Sequence, residues 1–102
     1  MSQDLEKANS NREIVPWIVA FGHKAVYCFS SDCDDYPTTY HNWDDIFYNY
    51  GVDLFIGAHK HEYQMLKPLY KEEIKTFGKP DDNTIVDPKA TVYVIQGNAG
   101  NK

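Results

Sequence analysis

The sequence lacks any apolar stretch long enough to span a bilayer, and residues 1–12 are polar, with no hydrophobic region of a signal peptide. Positive charge is also scarce, since 10 Lys and Arg stand against 15 Asp and Glu and leave a net charge of −5. These absences argue against nonspecific binding to nucleic acid or to an anionic membrane. An anionic substrate is still permitted, because a bound metal cation reverses the local field.

Cysteine is scarce as well. The two cysteines, Cys28 and Cys33, lie five positions apart in a polar segment. That spacing does not match the C-x2-C pattern of thiolate zinc sites, and the chain has no second pair. Two alternatives stay open: the thiols are free, or they form a local disulfide, which would indicate an oxidising compartment.

Three short apolar segments predict the strands of one small domain. The 102 residues are 42% hydrophobic and 15% aromatic, which is enough to fill a modest core. Residues 17–21, 52–58 and 91–95 are rich in β-branched and aromatic side chains and are bounded by turn residues. Because their apolarity is continuous rather than alternating, we expect strands covered on both faces, as in an α/β fold.

Two further segments predict helices. Residues 4–13 are rich in helix formers but poor in apolar residues, which predicts a surface helix. Residues 43–50 carry an apolar face, with Asn42 as N-cap and Gly51 as C′ residue. Asp44 and Asp45 then fall in the first turn, where the helix dipole favours negative charge. Residues 26–41 and 71–89 are predicted to be surface loops.

Histidines follow two of the predicted strands. His23 comes after residues 17–21, and His59 and His61 come directly after residues 52–58. Residues i and i+2 of an extended backbone point to one side, and α/β proteins place their sites beyond the carboxyl ends of strands. Neutral imidazole is a common metal ligand. The pattern predicts half of a metal site; the alternative is three solvent-exposed histidines.

Four segments, taken in order, resemble purple acid phosphatases. WIVAFGHKAVYC (17–28) is similar to the family's W-I-I-x-x-G-H-R-P-M-Y-C, with Ala25 in place of proline. DDIFYNYGVDLFIGAHKHEYQMLKPLY (44–70) resembles the segment around G-H-x-H in its animal-type long form. VYVIQGNAGN (92–101) resembles the closing strand and glycine-rich loop, and DLEKANSN (4–11) resembles the preceding helix. The chain is therefore similar to the C-terminal half of the catalytic domain.

The resemblance implies a fold and an activity. It implies that residues 1–102 form a single partial domain of a metallophosphoesterase α/β sandwich, with mixed sheets flanked by helices and incomplete at both ends. The parent would hydrolyse phosphate monoesters at acidic pH with a two-metal centre, Fe3+ paired with Fe2+, Zn2+ or Mn2+. Its location would be secreted, lysosomal or vacuolar.

Matched residue by residue, the resemblance also implies roles for the histidines. His23 and His59 would ligate the divalent metal, and His61 would ligate the ferric ion. His41 lies in the loop where family members carry histidines that contact substrate or protonate the leaving group. It is therefore expected to be a general acid or a substrate contact.

The family's remaining ligands are absent from the sequence, which contains no D-x-G, G-D-x-x-Y or G-N-H-E segment. Without a bridging carboxylate nothing offsets the repulsion between two cations. We therefore expect an inactive fragment of an acid phosphatase, with the remainder of the catalytic domain missing from this chain. The alternatives are a non-catalytic metal-binding or interaction module of the same fold, and a bare folding fragment with an exposed sheet edge.

Overall fold

The computed structural model of the chain describes residues 1–30, 41–75, 85 and 88–100. It contains the helices α1 (Ser2–Asn9) and α2 (His41–Asn49). The strands are β1 (Val19–Lys24), β2 (Leu54–Ala58), β3 (Tyr63–Leu66), β4 (Leu69–Tyr70), β5 (Glu73–Ile74) and β6 (Val92–Gln96). The main sheet has the order β1-β2-β6-β3, in which β2 is parallel to β1 and β6, and β3 is antiparallel to β6. The predicted mixed α/β architecture is confirmed.

The hydrophobic core lies between one face of this sheet and the helices. Register places Ala20, Phe55 and Tyr93 side by side, so these residues point to the same face. Leu5 of α1 and Phe47 of α2 pack against them, and the rings of Phe47 and Phe55 are 5.1 Å apart. None of the helices in the ranges given above is long and apolar enough to cross a membrane.

The opposite face of the sheet is exposed at its two outer strands in the described part of the chain. Phe21 of β1 is 82% exposed, and Met65 of β3 is 57% exposed. The expectation that the first strand would be covered on both faces is therefore wrong. β1 is one of the two edge strands of the main sheet, and its alternate residues Val19 and Phe21 point away from the core that Ala20 faces.

Helix α1 is shorter than predicted and ends at Asn9 rather than residue 13. The following segment turns back, because the Arg12 guanidinium donates to Asp53 Oδ2 at 2.6 Å and to the Pro16 carbonyl at 2.7 Å. Asp53 Oδ2 also accepts from the Ile18 amide at 2.8 Å. These bonds fix the entry of the chain into β1, which begins at Val19, two residues later than predicted.

Helix α2 ends as expected but begins earlier. Gly51 has a φ of 63°, the left-handed conformation of a C′ residue, which confirms its predicted role. The N-cap prediction for Asn42 is wrong, since the helix already includes His41. Asp44 lies in the first turn as predicted.

Asp44 is nevertheless buried, with 2% of its surface exposed. Its Oδ2 accepts from the Tyr27 hydroxyl at 2.5 Å and from the Lys71 amide at 2.8 Å, and its Oδ1 accepts from the Tyr93 hydroxyl at 2.7 Å. These three donors satisfy a carboxylate that would otherwise be costly to bury. Burial, and next the hydrogen bond to Asp44, raises the pKa of both tyrosine hydroxyls well above the ordinary range.

The hairpin of β4 and β5 turns through two residues with positive φ, Lys71 at 50° and Glu72 at 64°. This is the pattern of a type I′ turn, which usually contains Asn or Gly. The turn directs the Lys71 amide to Asp44 and the Glu72 amide to the Tyr27 hydroxyl. The prediction of a surface loop over residues 71–89 is therefore wrong at residues 73–74, which form β5. Residues 76–84 and 86–87 of that predicted loop lie outside the described part of the chain.

We expect Asp44→Ala to lower the free energy of unfolding by about 3 kcal/mol or more. Three buried donors lose their acceptor, at about 1 kcal/mol or more each. Asp45→Ala is the matched control, because Asp45 is half exposed and accepts from Tyr70 at 2.9 Å. Its cost should stay below about 1 kcal/mol. Urea unfolding of both variants measures the difference, and equal costs would show that Asp44 is not a structural centre.

Stability should also fall as the pH rises above about 10, the pKa of tyrosine in an unfolded chain. In the folded chain the raised pKa values of Tyr27 and Tyr93 keep both hydroxyls protonated. Above that pH the unfolded chain loses the protons of these two hydroxyls while the folded chain keeps them, so the free energy of unfolding decreases. Tyr93→Phe should make this fall shallower. Urea midpoints between pH 8 and 11 that decline equally in both proteins would contradict the assignment.

Candidate metal centre

The carboxyl ends of β1 and β2 meet at one edge of the sheet. The two strands are parallel, so His23 near the end of β1 and His59 just after β2 emerge on the same side. Gly57 allows the close approach, because a Cβ there would lie 2.7 Å from Ala25 Cα. Ala25 is itself buried, with 2% of its surface exposed. Any side chain at position 57 would push the two strand ends apart.

A β-bulge sets the direction of His23. Phe21 pairs with Ile56, but the next pair is Lys24 with Ala58, so β1 contains one extra residue across this step. The extra residue falls at Gly22–His23. Bulges bend a strand and re-aim its side chains, and this bulge lies directly at the candidate site.

The imidazoles of His23 and His59 are in contact. Nε2 of His23 lies 2.9 Å from Nδ1 of His59, and the rings meet edge to face with centroids 5.0 Å apart. Without a cation, one of these nitrogens must donate a proton to the other. The sequence prediction that the two strand ends bring histidines together holds for this pair in the structure.

His59 adopts an uncommon backbone conformation, with φ at 69°. Left-handed conformations of residues other than glycine are sparsely populated and cost on the order of 1 kcal/mol or more. His59 is the central residue of a tight turn, which the Lys60 amide closes by donating to the Ala58 carbonyl at 2.9 Å. This turn lifts the His59 ring out of the strand direction and towards His23.

The two nitrogens lie close to the spacing that a shared cation requires. Zinc–imidazole bonds are about 2.0–2.1 Å long and meet at about 109° in a tetrahedral site, so the nitrogens of two neighbouring ligands lie about 3.4 Å apart. The observed 2.9 Å is the length of a hydrogen bond between the rings, so the rings would move slightly apart to share an ion. Both side chains are exposed, which leaves room for further ligands.

Of the other two predicted site residues, His61 does not join this pair in the structure. Across the described ranges, no group of three or more His, Cys, Asp or Glu side chains is placed to hold a metal ion. His61 is exposed, one residue beyond Lys60. His41 is the first residue of α2, and its side chain lies outside the described part of the structure.

Polar contacts tie the segment after β1 to the start of β3. Ser30 Oγ and Gln64 Nε2 both donate to Glu62 Oε1 at 2.9 Å, and the Phe29 amide donates to Gln64 Oε1 at 3.2 Å. Cys28 is disulfide-bonded, so the alternative of a free thiol does not apply to this residue. Cys33 lies outside the described residues. Sequence reasoning missed the Glu62 contacts, because nothing in the spacing marks them.

The structure resembles that of a purple acid phosphatase from yellow lupin (Lupinus luteus), with a TM-score of 0.75. That match covers 94% of this chain and 18% of the lupin chain at 20% sequence identity, so it shows the fold. The chain therefore has part of the metallophosphoesterase fold of that protein, with His23 and His59 paired at its strand ends. No protein-family model matches the chain.

The sequence relatives of the chain are acid phosphatases. The chain is 35% identical over 111 residues to human acid phosphatase type 7 and 38% identical over 114 residues to its zebrafish (Danio rerio) counterpart. It is 28% identical over 102 residues to purple acid phosphatase 23 of Arabidopsis thaliana. These matches cover at least 95% of the chain but only 25%, 25% and 19% of the three relatives. The resemblance to purple acid phosphatases is thus confirmed for the segment that this chain spans.

Proposed function

We propose that this chain forms one half of the two-metal centre of an acid phosphatase that hydrolyses phosphate monoesters. His23 and His59 would hold the divalent ion, and His61 would ligate the ferric ion. The observation that carries the proposal is the 2.9 Å contact between His23 Nε2 and His59 Nδ1. The similarity to acid phosphatases over nearly the whole chain supports it.

The residues of this chain would act mainly by placement. To hold a cation, both imidazoles would have to be neutral and to turn a lone pair towards it in place of the hydrogen bond between them. When bound, the metal pair would polarise the phosphate ester and supply an activated water. His41 would contact the substrate or protonate the leaving group.

The centre needs carboxylates in addition to these histidines. Two cations a few ångströms apart repel each other strongly unless an anionic ligand lies between them. The sequence contains none of the family's segments that carry such ligands. The 102 residues by themselves would therefore be inactive, and activity would require the remainder of the catalytic domain.

A second candidate function is a non-catalytic module that holds a single ion. It is favoured by the meeting of two imidazoles, with no third ligand beside them in the ranges that the structure describes. Such a module would bind one cation weakly, with water completing the coordination. Such a module would not activate a water molecule, and His41 would have no role in it.

Zinc titration of the chain tests the shared part of both proposals. We expect binding of one Zn2+ ion in isothermal titration calorimetry, weakened about 10- to 100-fold or more by His59→Ala, because a single imidazole is left on the ion. His41→Ala is the matched control, since His41 has no assigned metal role. Absence of binding, or equal binding by His59→Ala, would contradict both proposals and favour a bare folding fragment.

Phosphatase assays separate the catalytic proposal from the single-ion module. We expect no turnover of a chromogenic phosphate ester by the 102 residues alone. Joined to a segment that supplies D-x-G, G-D-x-x-Y and G-N-H-E, the chain should turn the ester over, and His59→Ala should then reduce kcat/KM at least about 100-fold. Full activity of the 102 residues would refute the claim that essential carboxylates are missing.

A further inference from the structure

We propose that Gly97 is a positioning residue for the histidine pair. It lies just after β6, in a loop that carries none of the proposed ligands. We infer that its missing side chain sets the position of the Lys60–His61 peptide and, through it, of the His59 ring. The metal-binding consequence rests on the proposed function, whereas the positioning of the rings does not.

The first observation is a backbone contact with no room for a side chain. A Cβ atom on Gly97 would overlap the Lys60 carbonyl oxygen, and it would lie 2.5 Å from the Lys60 carbonyl carbon and 3.1 Å from His61 Cα. The clashing atoms belong to the backbone, so no rotamer change relieves the overlap. Any L side chain at this position must displace the peptide that joins the two histidines of the H-x-H pattern.

The second observation is that Gly97 also fixes the far end of the same turn. Its amide donates to the Glu62 carbonyl at 3.0 Å. The Glu62 side chain is held in turn by Ser30 and Gln64. The turn is therefore held at its start by the bond from Lys60 to Ala58, and at its middle and end by Gly97.

The displacement would reach His59 because its backbone has little freedom to absorb it. His59 has a φ of 69° and lies between Ala58 and Lys60, which close the turn by a hydrogen bond, so its backbone is held in a sparsely populated conformation. Moving the Lys60 peptide would release His59 to an ordinary conformation. The ring would then leave its 2.9 Å contact with His23.

The test compares Gly97→Ala with Gly100→Ala by NMR without metal. Gly100 lies in the same loop and has a φ of 77°, yet a Cβ there meets nothing within 4 Å, so this control adds strain without a clash. We expect the ring-proton NOE between His23 and His59 in the wild type and in Gly100→Ala, and its loss in Gly97→Ala. A folded Gly97→Ala variant that keeps this NOE would overturn the proposal.

A second pair of variants covers the case in which Gly97→Ala does not fold. Lys60→Gly frees the turn to move away from an added methyl group, so Lys60→Gly/Gly97→Ala should fold. The NOE should persist in Lys60→Gly alone, where Gly97 still holds the turn, and should be lost in the double variant. Its persistence in both would overturn the proposal.

Zinc binding by the same proteins separates this inference from the proposed function. Gly97→Ala should bind Zn2+ about 10- to 100-fold more weakly than Gly100→Ala, the range found when residues that orient metal ligands are changed. If the wild type shows the NOE but binds no Zn2+, the proposed function fails and the positioning role stands. If the wild type binds Zn2+ and Gly97→Ala binds it equally, the positioning role fails.

Discussion

The buried carboxylate of Asp44 holds together segments that are far apart in the sequence. It accepts hydrogen bonds from Tyr27 after β1, from Tyr93 in β6 and from the amide of Lys71 in the β4–β5 turn. Each donor needs this acceptor, because a buried hydroxyl or amide without one costs more than its bond contributes. The arrangement is therefore collective, and it fixes α2 on the sheet from which the histidines emerge.

The candidate centre lies on the same sheet, but it depends on close backbone contacts rather than on buried hydrogen bonds. Gly57 lets the segment after β1 lie against β2, and Gly97 lets the loop after β6 lie against the Lys60 peptide. The bulge at His23 and the left-handed backbone of His59 then turn the two rings towards each other.

The sequence predicted what depends on local pattern. Continuous apolar runs indicated the three strands, and Gly51 indicated the end of α2, because a C′ residue requires a left-handed conformation. It did not predict that Asp44 is buried or that Phe21 is exposed, since both depend on what packs across from them. Likewise the pairing of His23 with His59 followed from strand ends, but the roles of Gly57 and Gly97 follow only from contacts distant in sequence.

The central claim is that His23 and His59 are neighbouring ligands of one metal ion. X-ray absorption at the zinc edge of the chain loaded with one equivalent of Zn2+ tests it most directly. We expect scattering from two imidazoles with nitrogens at about 2.0–2.1 Å, with oxygen ligands completing the shell. A zinc shell of oxygen alone, without the outer scattering of imidazole rings, would contradict it.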